Sequence, residues 1–270
     1  MKSIRHVHHR AAFSYPVSLG QRLYGIVLGP LVIFALVSAL LSFFPQIAPA
    51  GEVLSFQTIS LAAIYTCARL FIAYLLAVIV SVPLALLVTS NPTIEAFFLP
   101  VFDVLESIPI LALFPVIILL FIQFNFLNGA AIFILFLSML WNLVFTLVGG
   151  LKIIPKDIFH AARVFGLRGF AHVRRVILPA IFPQLVTGSI LAVAQGWNLI
   201  IVAEVLHTYI PGGTSAQDLF GVGSILVSAA SHAQFNVFLA AVFVMVFLIA
   251  LLNFFVWQKL LRIAQRYRFE

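Results

Sequence analysis

Charge is what this sequence has least of. Asp, Glu, Lys and Arg make up only 9% of its 270 residues, where soluble domains carry about 25%. With 63% of the chain hydrophobic, an ordinary water-soluble fold is excluded, because its surface could not hide so much apolar area. Cysteine is nearly absent too. Cys67 stands alone, so no internal disulfide and no cysteine-ligated metal centre can form, and it reads as a small apolar residue of a span. No HExxH, GxSxG, P-loop or dinucleotide fingerprint occurs, and GVGS at 221–224 is too short to signal phosphate binding. No acid or histidine sits mid-span in a proton-relay pattern. Catalytic residues, metal and cofactor are therefore all expected to be none, and any energy source for transport lies off this chain. Three histidines, His6, His8 and His9, lie in the basic N-terminal stretch without a carboxylate or cysteine beside them, as in a solvated tail.

What the chain has is long uncharged runs. About 20 apolar residues in a helix span the hydrocarbon, and the runs place six spans at 23–44, 66–89, 107–124, 130–150, 180–203 and 235–257. The first is too long for a signal-peptide core and is read as retained. The turn signal SNP at 90–92 closes the second, and a short amphipathic stretch, TIEAFFLPVFDVLE, follows it. A polar, Gly-rich loop separates the fifth from the sixth. Pro83, Pro109 and Pro115 fall inside spans and mark kinks or breaks. The fold class is an all-α integral membrane protein. A basic tail over 1–22 precedes a six-helix domain over 23–258, and a basic tail over 259–270 ends the chain.

The cations fix the expected orientation. Four Lys and Arg precede the first span, six lie between spans four and five, and four end the chain. All fourteen fall on one side if there are six spans; of the fifteen only Arg69 is elsewhere, where it snorkels or pairs within the bundle. The loops 45–65, 125–129 and 204–234 hold no Lys or Arg. Both termini and the basic loop are thus expected in the cytoplasm. The net charge of +7 reflects this bias rather than a nucleic-acid partner. Asp103 and Glu106, three apart on one helical face, read as interfacial acids. Glu204 ends the fifth span at the outer surface, as a solvated helix end or the rim of a vestibule.

The densest basic segment runs from Lys152 to Arg175 with Asp157 as its single acid. Pro155 opens a short helix and Gly166 closes it, while Pro179 and Pro183 are expected in the first turn of the next span. Ala161, Ala162 and Gly166 give the short helix a small-residue surface on which another protein can approach closely. A docking knob and a purely topogenic loop both fit the spacing.

The chain here resembles the permease subunits of binding-protein-dependent ABC importers. Their cytoplasmic signature is Glu-Ala-Ala, three residues, Gly, nine residues, then Ile-x-Leu-Pro. This sequence has Ala161-Ala162, three residues, Gly166, nine residues, then Val176-Ile177-Leu178-Pro179. The run SIPILALFPVIILLF and the layout before the last span make it most similar to the nitrate/sulfonate/taurine type, over about residues 58–258. The resemblance implies the importer permease fold, with a coupling helix between helices four and five, in the bacterial cytoplasmic (inner) membrane. It implies a cytoplasmic ATP-binding subunit contacted through His160, Ala161, Ala162, Arg163, Gly166, Leu178 and Pro179. A second permease subunit, the same or different, would complete the pathway. An external substrate-binding protein would deliver the solute, a small anion or a small polar organic molecule. Glu204 and the loop 207–224 with Gln217 and Asp218, which offers hydrogen bonds without cations, are expected to face the exterior and meet that protein. His160 stands where the family has Glu, which removes an acidic contact and puts a titratable group in its place. A secondary transporter or channel working alone is the alternative, and a membrane-embedded enzyme is disfavoured by the lack of clustered catalytic groups.

Overall fold

The computed structural model describes residues 56–167 and 169–267. The expected first span at 23–44 and the tail before it lie outside the described residues. Those residues form α1 (Phe56–Thr89), α2 (Pro92–Ser107), α3 (Ile110–Gln123), α4 (Leu127–Ile153), α5 (Lys156–Val164), α6 (Gly169–His172), α7 (Leu178–Glu204), α8 (Val222–Ser231), α9 (Phe235–Leu252) and α10 (Gln258–Ala264). No strand occurs among them.

Four helical stretches are long and apolar enough to cross a membrane: Gln57–Thr89, Leu127–Ile153, Val173–Glu204 and Phe235–Tyr267. The expected third span, 107–124, is instead the second arm of a bent pair. α2 and α3 meet at 85°, so a fifth crossing exists only if the pair counts as one. Pro109 is the cause. It disfavours helical geometry at Ile108, which is extended at φ −70° and ψ 123°. α3 alone has 14 residues, about 21 Å, short of the roughly 30 Å of hydrocarbon. α2 begins as the SNP signal predicts: the Asn91 side chain accepts from Thr93 N at 2.9 Å, with Pro92 in the first turn.

α4 is the axis of the bundle, with α1 and α7 packed along it. Ile134, Leu135, Met139, Leu143 and Leu147 of α4 are fully buried, as are Phe114 and Ile118 of α3 and Ile200 of α7. Small residues set the α4–α7 spacing, as in lipid, where close packing substitutes for hydrophobic drive. A Cβ on Gly188 would lie 3.0 Å from the Thr146 Cβ.

Pro179 and Pro183 do not start the fifth span. The helix is already running from Gly169 through α6 and a π-turn at Val173–Ile177, closed by Leu178 N donating to Val173 O. The wider turn falls where the Pro179 ring would otherwise meet the Arg175 carbonyl. The last span likewise continues past 257, through a π-turn at Asn253–Trp257 into α10. Residues 258–264 are therefore helix rather than tail. Tyr267 packs edge-on against Phe182 with ring centroids 5.5 Å apart. Arg266 and Tyr267 share a cleft with Arg175 and Pro179, so the loop cations and the C-terminal cations meet at one end of the bundle.

Candidate coupling and pathway sites

α5 stands at the basic end. Its first turn is closed by Ile158 N donating to Pro155 O at 3.1 Å. Its last is closed by Leu167 N donating back to Ala162 O at 3.0 Å, around Gly166 at φ +70°. This is the long bond of a Schellman motif, with glycine in the left-handed position that it requires. Ile158 and Phe159 pack on the cluster formed by Ile154, Ala180 and Ile181, and Phe159 lies against the His172 ring. The helix is thus seated by its own apolar side.

The small-residue surface needs correction. Ala161 and His160 are exposed, but Ala162 is buried at 4% exposure inside this chain. The outward tip is instead Val164 and Phe165, 85% and 80% exposed. Arg163 lies within α5, and Leu178 and Pro179 are half-buried where α7 begins.

At the opposite end Glu204 is neither a solvated helix end nor an open vestibule rim. It is fully buried. Its Oε1 accepts from Thr66 Oγ1 and from Arg69 Nη1, each at 2.7 Å, and Oε2 accepts from Gly223 N at 2.7 Å. Arg69 also donates from Nε to Asn128 Oδ1 and from Nη2 to Phe220 O, both at 2.9 Å. Thr66 Oγ1 accepts from Val222 N at 3.0 Å. The carboxylate therefore sits at the N-terminus of α8, where backbone N–H groups and the helix dipole favour an anion. GVGS is the receptor for this carboxylate. A Cβ on Gly221 would collide with the Glu204 carboxyl, and one on Gly223 would lie 2.8 Å from Ile201 Cα. One ionic knot thus ties α1, α4, α7 and α8 together. Arg69, the cation apart from all the others, is neutralised within it.

Asp218 is paired within the chain as well. His207 donates from its backbone N–H to Asp218 Oδ1 at 3.0 Å, and Nδ1 lies 2.8 Å from the carboxylate. The Gln217 side chain accepts from Thr214 N at 3.0 Å. Asp218 and Ser224 line an open polar cleft of about 580 Å³ with Ser215, Ser228, His232 and Gln234. The sequence named Glu204 and Asp218 but not their partners: Thr66, Arg69 and the Gly223 N–H for Glu204, with Asn128 behind Arg69, and His207 for Asp218. No group of three or more His, Cys, Asp or Glu among the described residues could hold a metal.

The sequence matches the model of the family "binding-protein-dependent transport system inner membrane component" over residues 77–268. It is 30% identical over 156 residues to the nitrate import permease protein NrtB of Leptolyngbya laminosa, covering 58% of this chain and 55% of that one. To the bicarbonate transport system permease protein CmpB of Synechococcus elongatus it is 31% identical over 137 residues, 51% and 48% of the two chains. To the taurine transport system permease protein TauC of Escherichia coli it is 24% identical over 185 residues, 68% and 62% of the two. The aligned part spans about half the length of the first of these relatives. In three dimensions the chain resembles a chain of the inward-facing MetNI methionine ABC transporter, with TM-score 0.59 and 19% identity over 77% of this chain and 97% of that one. The match to the family model covers well over half the sequence, and the chain belongs to the family of inner membrane components of binding-protein-dependent transport systems.

Proposed function

We propose that this chain is the permease subunit of an ATP-driven importer, forming part of the path for a small solute and coupling to a separate ATPase through α5. The family match over residues 77–268 carries the reading. It is supported by the placement of α5, a short helix seated on the bundle with an exposed Val164–Phe165 tip at its basic end. That end is the cytoplasmic one by the bias of cations. The chain has no nucleotide-binding fingerprint, so hydrolysis occurs on a partner subunit. An external binding protein delivers solute at the Glu204–Asp218 end, and a second permease subunit completes the path. The relatives are permeases for nitrate, bicarbonate and taurine, and the solute class proposed here is a small anion of that kind. Purifying the tagged chain from its native membrane and identifying what accompanies it tests the assignment. An ATP-binding subunit in stoichiometric amount is expected; a chain that purifies alone and transports alone contradicts it.

A further inference from the structure

α7 carries a polar face that the bundle does not cover. Thr187, Leu191, Ala194, Gln195 and Asn198 are all exposed. At 3.6 residues per turn they fall within about 100° of arc and extend about 16 Å along the helix. The residues on either side of this stripe, Val186, Gly188, Ala192, Val193, Gly196 and Trp197, are buried. Gln195 lies nine residues inside Glu204, about 13 Å from that end of the span, and so well within the hydrocarbon depth. Neither the Gln195 nor the Asn198 side chain makes a hydrogen bond to another described residue. Gln184, one turn before Thr187, has a buried Oε1 without a partner.

The other outward faces differ. α1 presents Ile64, Phe71, Leu75 and Ile79 outward, an aliphatic and aromatic surface suited to lipid. Uncharged amides at membrane depth are stable only against water or another polar group. The charged side chains of α1 and α7, Arg69 and Glu204, neutralise each other in the buried knot, so the exposed stripe carries no fixed charge.

We infer that this face of α7 is the wall of the solute passage, with Gln195 and Asn198 as its solute-contacting side chains. The inference rests on the permease reading and adds the residues and the chemistry. Amide N–H donors suit a small solute that presents hydrogen-bond-accepting oxygens. Being neutral, they hold it weakly enough to release it, as conduction requires.

The test is solvent access in the assembled complex. Gln195→Cys, Asn198→Cys and Leu191→Cys are made singly in a Cys67→Ala background, with the lipid-facing Phe71→Cys as control. Native membrane vesicles are treated with the membrane-impermeant sulfonatoethyl methanethiosulfonate. The stripe cysteines should label about tenfold or more faster than Phe71→Cys, because only a wetted thiol ionises readily. Labelling no faster than the control, or spontaneous cross-linking to a partner subunit in place of labelling, overturns the passage. Co-purification of the ATPase with the same variants is scored separately. Slow labelling with the ATPase retained sinks the passage alone, and fast labelling without any ATPase sinks the importer reading alone. Three positions are used so that loss of one variant to misfolding leaves the stripe measured.

Discussion

At the scale of single residues, the Arg69–Glu204 knot is the feature with the largest energetic leverage. A buried pair gains little over an apolar substitute, but removing one partner leaves the other charge stranded and costs about 3–5 kcal/mol. Arg69→Ala and Glu204→Ala should each destabilise the chain by such an amount, read as a lowered midpoint of thermal unfolding in detergent. The double variant should lose clearly less than the sum, since the two share one interaction. Additive losses would mean the pair is not coupled. The knot was not legible in the sequence because its members lie 135 residues apart, and no local pattern reports that separation. Glu204 ending an apolar run looked like a solvated helix end. Only the return of 219–224 over it, with Leu219 N donating to Glu204 O at 2.9 Å, makes it buried. Gly166 was legible, as the glycine that closes a short helix. With φ +70° and no atom within 4 Å of a built Cβ, its constraint is conformational and not steric. Gly166→Asn should therefore retain more coupling than Gly166→Val, because Asn tolerates the left-handed region. Equal loss in ATPase co-purification would place the constraint in contact with the partner instead.

At the scale of elements, composition marks the long helices well and their interruptions poorly. The runs 66–89, 130–150 and 235–257 all lie within helices that extend beyond them, since a hydrophobicity window sees the lipid-facing core and not the polar extensions. Prolines were ambiguous for a physical reason. The same residue breaks the chain at Pro109, is carried through α1 at Pro83, and follows a π-turn at Pro179. Which outcome holds depends on whether neighbouring helices satisfy the freed carbonyl. In α5 the boundaries were readable from Pro155 and Gly166, but the outward face was not. Packing of Ile158 and Phe159 turns Ala162 inward and leaves Ala161 and Phe165 outside. Ala162→Arg should accordingly reduce the yield of folded chain, by burying an unpaired charge. Ala161→Arg should leave yield unchanged, as read by monodisperse recovery in detergent. Normal recovery of Ala162→Arg would show that α5 is not seated as described.

At the scale of the whole molecule, the gathering of cations at one end is the organising observation. The loop around α5 and the region of α10 meet there, and Arg69 at the far end is neutralised in place. Cysteines at Ser215 and Phe165, in a Cys67→Ala background, should react with an impermeant thiol reagent from opposite faces, Ser215 from outside. Labelling of both from outside would contradict this topology. The central claim is that α5 couples this bundle to an ATPase, and one measurement tests it most directly. Ala161→Arg and Phe165→Asp alter only exposed positions, one on α5 and one at its tip, and are assayed for ATPase co-purification and for binding-protein-stimulated hydrolysis in reconstituted vesicles. Central interface positions typically cost about 2 kcal/mol or more when lost, roughly thirtyfold in affinity. The account predicts that both variants fold normally yet lose the ATPase or its stimulation. Full retention of both in both variants would contradict it.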